Sequence, residues 1–325
     1  MKSICKLLVA SLMFGTGFTA SAASAYPNKP VTLMVPYPAG GVSDAIARAI
    51  SGPLGQSLGQ TVLVENLGGA SGTIGAQKVL NAPADGYMVF LGSPNEIILA
   101  PLANKAIKVR AEDFTMLTQL TLNPLVLIAS KDLPANSLDE LLAYAKSAGR
   151  PLNYGSVGIG SAYHLITESM AQKTDIKVMH VPYKGIAPLL QDLGGSVVDF
   201  AMLPYGTSYR GLADQKRIKL LGWVGRERRE LDSAIPAFGE GKNLQDFNQQ
   251  IWAGLMVKKG TPADIQDRLH KAIGDTMKDP AVRKALSAVG SEVAPLNTLV
   301  EAEKLLAAET NKYRVLAKEI KLQPE

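Results

Sequence analysis

Four times along this chain a short apolar run stops at a glycine-bearing turn and gives way to a helical pattern. VTLMV at 31–35 runs into Pro38-Ala39-Gly40-Gly41 and the helical pattern of 43–57. TVLVE at 61–65 runs into LGGASGTIG and then AQKVL, so Gly68 to Thr73 precede a second helix. LNYGSV at 152–157 enters Gly158-Ile159-Gly160-Ser161 and AYHLITESMA. KVMHVPY at 177–183 enters Tyr183-Lys184-Gly185 and APLLQDL. Strand signals alternating with helix signals predict parallel α/β sheets. Each turn then lies at the C-terminal edge of a strand, presenting bare backbone N–H groups and the positive end of a helix dipole. Such a place suits an anion: a nucleotide phosphate, a reaction's oxyanion or a small carboxylate.

The remaining runs set the layout. YMVFLGS (87–93), VVDFAML (197–203) and IKLLGWVG (218–225) read as strands. PLVLIAS (124–130) opens a second block, followed by the capping box Ser137-x-x-Glu140. WAGLMVK (252–258) carries the chain into a helical tail. There Thr261-Pro262 and Asp279-Pro280 each read as N-cap and first helical residue. Apolar positions 305, 306, 313, 316 and 320 give the last stretch a docking face. A chain of 325 residues, 46% apolar, is long enough for two domains. The expected fold is α/β with two lobes: 26–124 plus 250–325 form the first and 125–249 the second. Two chain crossings form the hinge, and a cleft lies between the lobes, where ligands usually bind.

The N-terminus reads as a secretory signal peptide, 1–25: Lys2 and Lys6, the apolar run LLVASLMF, then small residues ending Ala23-Ser24-Ala25. The apolar run is too short to anchor in a bilayer. Cleavage after Ala25 makes Tyr26 the first mature residue and places the protein in the periplasm. The single cysteine, Cys5, leaves with the signal, so the mature chain has no disulfide and no Cys-based metal site. The formal charge of +5 falls to about +3 without Lys2 and Lys6, and basic residues are scattered. The densest group, RERR at 226–229, includes an acid and reads as a solvated loop rather than a nucleic-acid patch.

Chemistry-bearing motifs narrow the anion. No glycine turn is followed by Lys-Ser or Lys-Thr, so the phosphate-loop signature is absent. GIGSAYH has tyrosine where the dinucleotide fingerprint wants its third glycine. G-x-S-x-G does not occur; Ser71 in GASGT and Ser156 in YGSVG are off pattern. The three histidines, His164, His180 and His270, are not at metal-ligand spacing, so no metal and no cofactor is expected. His164, in the first turn of its helix, reads either as a packing histidine or as a neutral imidazole donating to a bound carboxylate. Asp44 either complements its helix dipole or orients ordered water or a polar ligand group. Lys184 is a candidate cation for a carboxylate, although most lysines point to solvent.

The blocks YPNKPVTLMVPYPAGGVSD, ENLGGASGTIGAQKV, ADGYMVFLGS, LNYGSVGIGSAYHL, HVPYKGIAPLLQDLGGSVVDF and WAGLMVKKGTP, in this order, resemble the solute-binding proteins of tripartite tricarboxylate transporters, the Bug or TctC-like receptors. The resemblance covers essentially the whole mature chain. It implies a two-lobed periplasmic binding protein of type II that closes on its ligand and works with integral membrane subunits of the transporter. It also implies that loops from both lobes grip the ligand's proximal carboxylate, with ordered waters beneath. Carried onto this chain, those are Tyr37, Pro38, Ala39, Gly40 and Gly41, with Ser43 and Asp44 behind. A neighbouring loop offers Ser71, Gly72 and Thr73, and the second lobe offers Gly158, Gly160 and Ser161, with His164 on the helix. Tyr183 and Asp199 lie in matched blocks. SPNEIIL at 93–99 departs from the family's usual stretch, near the distal end of the pocket.

The expected function is capture of a small carboxylate, a di- or tricarboxylate or an aromatic diacid facing Tyr37, Tyr154 or Tyr183, by a monomer without catalysis. The rival readings are a secreted hydrolase of small esters using Ser71 or Ser161 with His164, and a stand-alone sensory module.

Overall fold

The computed structural model describes residues 26–319. The signal-peptide reading of 1–25 and position 320 of the docking face fall outside the described residues. In chain order, β1 (Val31–Val35), α1 (Val42–Leu58), β2 (Val62–Asn66), α2 (Thr73–Asn81) and β3 (Met88–Gly92) come first. A π-helical turn, Asn95–Leu99, and α3 (Ala100–Ala103) lead into the long strand β4 (Phe114–Ser130). Then follow α4 (Leu138–Ser147), β5 (Leu152–Ser156), α5 (Ala162–Thr174), β6 (Val178–Pro182), α6 (Ile186–Gly194), β7 (Phe200–Pro204), α7 (Ser208–Asp214) and β8 (Ile218–Trp223). β9 (Gln250–Lys258), α8 (Ala263–Lys278), α9 (Pro280–Ala288), β10 (Glu292–Val293) and α10 (Leu299–Glu319) complete the chain.

The strands form one curled sheet in the order β2-β1-β3-β9-β4-β7-β5-β6, with β8 and β10 also paired to β4. Its two ends repeat one design. β1 runs parallel to both β2 and β3, and β5 runs parallel to both β6 and β7. β1, β2, β5 and β6 are the strands whose C-terminal ends carry the four glycine turns; the two pairs run in opposite directions and belong to successive halves of β4, so their turns point toward each other. β4 and β9 join the ends. β4 pairs with β9 from Phe114 to Pro124, then with β7 from Leu125 and with β8 from Val126. Pro124 has no N–H to give a ladder, and it stands where the strand changes partners, so the proline costs little there. Its carbonyl accepts from the Tyr205 N–H at 2.9 Å.

Local signals explain most element ends. The Ser137 hydroxyl accepts from the Glu140 N–H, and the Asp279 side chain caps α9 through the Ala281 N–H. Thr261 does not cap its helix. Its hydroxyl donates to the Lys258 carbonyl at 2.8 Å and the helix begins one residue later, at Ala263, with Pro262 as N-cap. On α10, Ala302, Leu306 and Tyr313 are buried, and Trp252 of β9 donates to Glu309 at 3.1 Å. The arginines of RERR each meet an acid: Arg226 with Asp246, Arg228 with Glu240 and Arg229 with Glu292.

Candidate functional site

A cavity lies between the two ends of the sheet. Tyr37, Pro38, Gly41, Val42 and Ser43 form one wall; Val157, Tyr163, Ile186 and Ala187 face them. Asn123, Ile251, Trp252 and Ala253, from the strands that join the ends, make the buried floor. The walls enclose about 40 Å3. That holds a few waters, since one needs roughly 10–15 Å3 of such space, and it is far below the roughly 300–1,000 Å3 of small-molecule sites. The two halves of the sheet therefore lie close against one another around this space.

Two helix N-termini border the cavity, one from each side. α1 starts after Gly41 and α6 after Gly185, and no side chain caps either. Pro38 brings their turns together: a Cβ on Gly185 would lie 3.0 Å from its ring. Gly40 has a φ of +87°, in the left-handed region that glycine tolerates. Its N–H donates to Asp44 at 3.0 Å, and Arg48 donates to the same carboxylate oxygen at 3.0 Å. Burial opposes the Asp44 charge, but Arg48 and the Gly40 N–H outweigh it and hold the carboxyl below its usual range. Asp44 is thus a brace for the turn, and Ala39, Gly40 and Asp44 stand behind the cavity wall.

The other two turns meet each other. The Ser71 hydroxyl donates to the Ile159 carbonyl across the cleft at 2.7 Å. A Cβ on Gly158 would lie 2.5 Å from the Ser71 oxygen, and one on Gly160 would lie 2.4 Å from the Ala103 Cβ. Both glycines have positive φ, 132° and 74°. The N-terminus of α5 is occupied twice over. The Ser161 hydroxyl accepts from the His164 N–H at 3.3 Å, and Asn95 from the opposite lobe accepts from the Ala162 N–H at 2.7 Å. Gly72 packs against Glu96, where a Cβ would lie 2.5 Å from its Cγ, and the Thr73 hydroxyl donates to the Ala70 carbonyl. Ser71, Gly72, Thr73, Gly158, Gly160 and Ser161 are all outside the cavity wall in this closed arrangement.

The histidines face inward. The His164 Nδ1 accepts from the Gly160 N–H at 3.0 Å, and its ring stacks on His180 at 4.1 Å. The His180 Nε2 lies 2.6 Å from the Ser156 hydroxyl. Burial pushes His164 down to about 4; burial and then His164 push His180 down to about 3. Both rings are neutral at pH 7 and brace the turn of 156–161. Tyr183 donates to Asp192 at 2.7 Å, Tyr154 donates to Glu168, and Asp199 accepts two bonds from Arg150 and one from the Asn153 N–H. These three anchor the second lobe away from the cavity. Among the described residues, no group of three or more His, Cys, Asp or Glu is placed to hold a metal.

A network in the departing stretch 93–99 is absent from the residues that sequence reasoning selected. Glu96 is fully buried; it accepts from the Ser93 N–H at 2.7 Å and from the Ser93 hydroxyl at 2.9 Å. Burial is the largest influence and raises its carboxyl to about 7. Asn95 joins the network to both lobes, donating to the Tyr37 hydroxyl at 3.0 Å while accepting from Ala162. The signal was an acid standing before the apolar run IIL just past a strand. Tyr163, Trp252 and Asn123 were also missed, because each sits in an ordinary-looking helix or strand.

The family described as tripartite tricarboxylate transporter family receptor matches residues 46–322. A Pseudomonas sp. protein from the tcbD-tcbE intergenic region is 31% identical over 97% of this chain and 93% of its own. The periplasmic binding protein BugD superposes with a TM-score of 0.85 at 28% identity, covering 92% of this chain and 100% of BugD. MatC of Rhodopseudomonas palustris, solved with bound malate, gives 0.82 at 27% identity over 90% of this chain and 99% of MatC. A further R. palustris protein, solved with adipate, gives 0.85 at 28% identity over 92% of this chain and 100% of that one.

Proposed function

Because the chain belongs to the tripartite tricarboxylate transporter receptor family, we propose that it is a periplasmic solute-binding protein that captures a small carboxylate between its lobes and hands it to the membrane subunits of a tripartite transporter. One observation carries this reading: the uncapped N-termini of α1 and α6, from opposite lobes, border one enclosed cavity. Backbone N–H groups and two dipole ends there favour an anion. The bound malate and adipate of two structural neighbours support a carboxylate.

We place the lobe boundaries at 124/125 and 249/250, where β4 changes partners and β9 begins. Parting about this hinge admits the ligand, and closure buries it. The contacts of Ser71 with Ile159 and of Asn95 with Ala162 form only on closure, so they act as a latch. Ester hydrolysis gains no support: the Ser71 hydroxyl is engaged by Ile159 and the His164 Nδ1 by Gly160. The mature protein, starting at Tyr26, acts as a monomer.

Calorimetric titration with small carboxylates and their amides tests the reading. Acids should bind and amides should not, because the amide removes the charge that the dipoles address. Equal affinity for acid and amide, or turnover of the matching esters, would sink it.

A further inference from the structure

The cavity floor holds one polar side chain whose bonding capacity the protein does not use up. Asn123 of β4 is only 4% exposed, and it lines the cavity. Its Oδ1 accepts from the buried Ser291 hydroxyl at 2.8 Å, and its Nδ2 donates to the Thr121 hydroxyl at 3.2 Å. A primary amide has two N–H donors, so one N–H of Asn123 is left over. Turning the amide over exchanges the roles of the two hydroxyls and still leaves one N–H. Thr121 and Ser291 are off the cavity wall, so the bonded edges of the amide face protein and the spare N–H is on the cavity side. The backbone around the amide is fixed. Asn123 pairs with Ile251 of β9, and Thr121 and Leu122 pair with β10, which sets Ser291 beside it. The Ser291 N–H in turn donates to the Leu286 carbonyl at 3.1 Å. The other floor side chains offer no donor: Ile251 and Ala253 are hydrocarbon, and the Trp252 indole N–H donates to Glu309.

Taking the carboxylate-receptor reading as its basis, we infer that Asn123 selects the far end of the ligand: its spare N–H donates to an acceptor oxygen that the ligand carries at the floor, while the carboxylate sits on the α1 and α6 N-termini. The ligand is thus a bifunctional acid, its second oxygen borne by a hydroxyl, an amide or a second carboxylate. A plain monoacid lays hydrocarbon on the spare N–H and leaves a buried donor unmet, and that loss exceeds what an ordinary hydrogen bond gains. A site built to bond a polar group rejects the analogue lacking it for this reason. The donor is neutral, so it demands an acceptor and not a charge.

Calorimetric titration of the mature protein with matched ligands tests this. Butyrate, hexanoate and phenylacetate are each compared with the same acid bearing a hydroxyl, a carboxamide or a carboxylate at its far end, and with the diamide of that dicarboxylate. In at least one set a far-end oxygen should tighten binding about tenfold or more over the plain acid, while the diamide does not bind. Asn123→Leu, with folding checked by its melting curve, should cut that advantage to about threefold or less. Asn123→Asp keeps the shape but turns the donor into a charged acceptor, so it should weaken the diacid about tenfold or more relative to the hydroxy acid. If no far-end oxygen improves on any plain acid, the inference is overturned and the carboxylate reading stands. An advantage unchanged in both variants overturns the role of Asn123. A diamide that binds as well as its diacid, or silence from every acid, overturns the carboxylate reading itself.

Discussion

The four glycine turns look alike in sequence but divide into two pairs that face different things. The turns before α1 and α6 border the cavity; those before α2 and α5 touch each other across the cleft. Capping sets α5 apart from α1 and α6, but not α2, which also starts after a glycine, Gly72, without a side-chain cap and stands off the cavity because its turn packs on Glu96 and Ile159. α5 has Ser161 as its own cap and Asn95 as a second partner from the other lobe. α1 and α6 begin after glycine, with no side chain to spare. A glycine turn before a helix is thus a possible anion site only where nothing else has taken the N–H groups. Where a cap is present, the same glycines serve close approach of backbone instead.

Four perturbations test that division, taken from the largest effect to the smallest. Gly41 has an ordinary φ of −88°, and its nearest neighbour to an added Cβ, the Pro38 carbonyl, is 3.8 Å away. Gly41→Val should therefore fold normally yet fill the cavity, lowering affinity at least about 100-fold. Unchanged affinity in titration would remove the α1 turn from the site.

Glu96 comes next, through pH. Its folded carboxyl titrates near 7, against an ordinary 4.5. Between those values the folded state holds the extra proton, so stability falls as pH rises, by up to roughly 3 kcal/mol, and levels off above 7. His164 and His180 work the other way, since the unfolded chain takes up their protons below about 6.5 and stability is lost as pH falls toward 4 and 3. Subtracting the Glu96→Gln denaturation curve from the parent's at each pH isolates Glu96. A flat difference between pH 5 and 8 would show that the carboxyl is not the buried acid described.

Gly160→Ala addresses the contact pair. Its φ of +74° costs an alanine about 1–2 kcal/mol, and the added methyl meets Ala103 only when the lobes close. Affinity should fall about 10- to 100-fold, with the ligand-free radius of gyration increased in small-angle scattering. Unaltered affinity would mean that closure does not require this approach. Ser161→Ala has the smallest effect. As a cap lost from α5 it should lower stability by about 0.5–2 kcal/mol and leave affinity within a factor of two. A drop in affinity with no change in melting would make Ser161 a ligand contact and dissolve the distinction between the pairs.

The sequence made some of this legible and hid the rest for physical reasons. Each strand–turn–helix unit is local, so its apolar run, glycines and helix pattern suffice to place it; Ser137 and Asp279 announce their helices by cap chemistry alone. The first half of β4, Phe114 to Asn123, escaped notice because it is buried on both faces and lacks alternation. Pro124 looked like a boundary, yet the strand runs through it because its missing N–H falls at a change of partners. Ser161 was read as a ligand residue rather than as a cap, because the sequence does not tell which N–H groups remain free. Which turns converge is a tertiary fact, as is the bond from Asn95 to Ala162 over 67 positions of chain.

The central claim is that a carboxylate sits on the N-termini of α1 and α6 between closed lobes. The crystal structure of the mature protein with its best-binding carboxylate tests this most directly. The account predicts carboxylate oxygens within hydrogen-bond distance of the N–H groups of Val42 or Ser43 and of Ile186 or Ala187, with Asn95 still on Ala162. A carboxylate held instead by Ser161 and His164 at the start of α5, with Asn95 displaced, would contradict it.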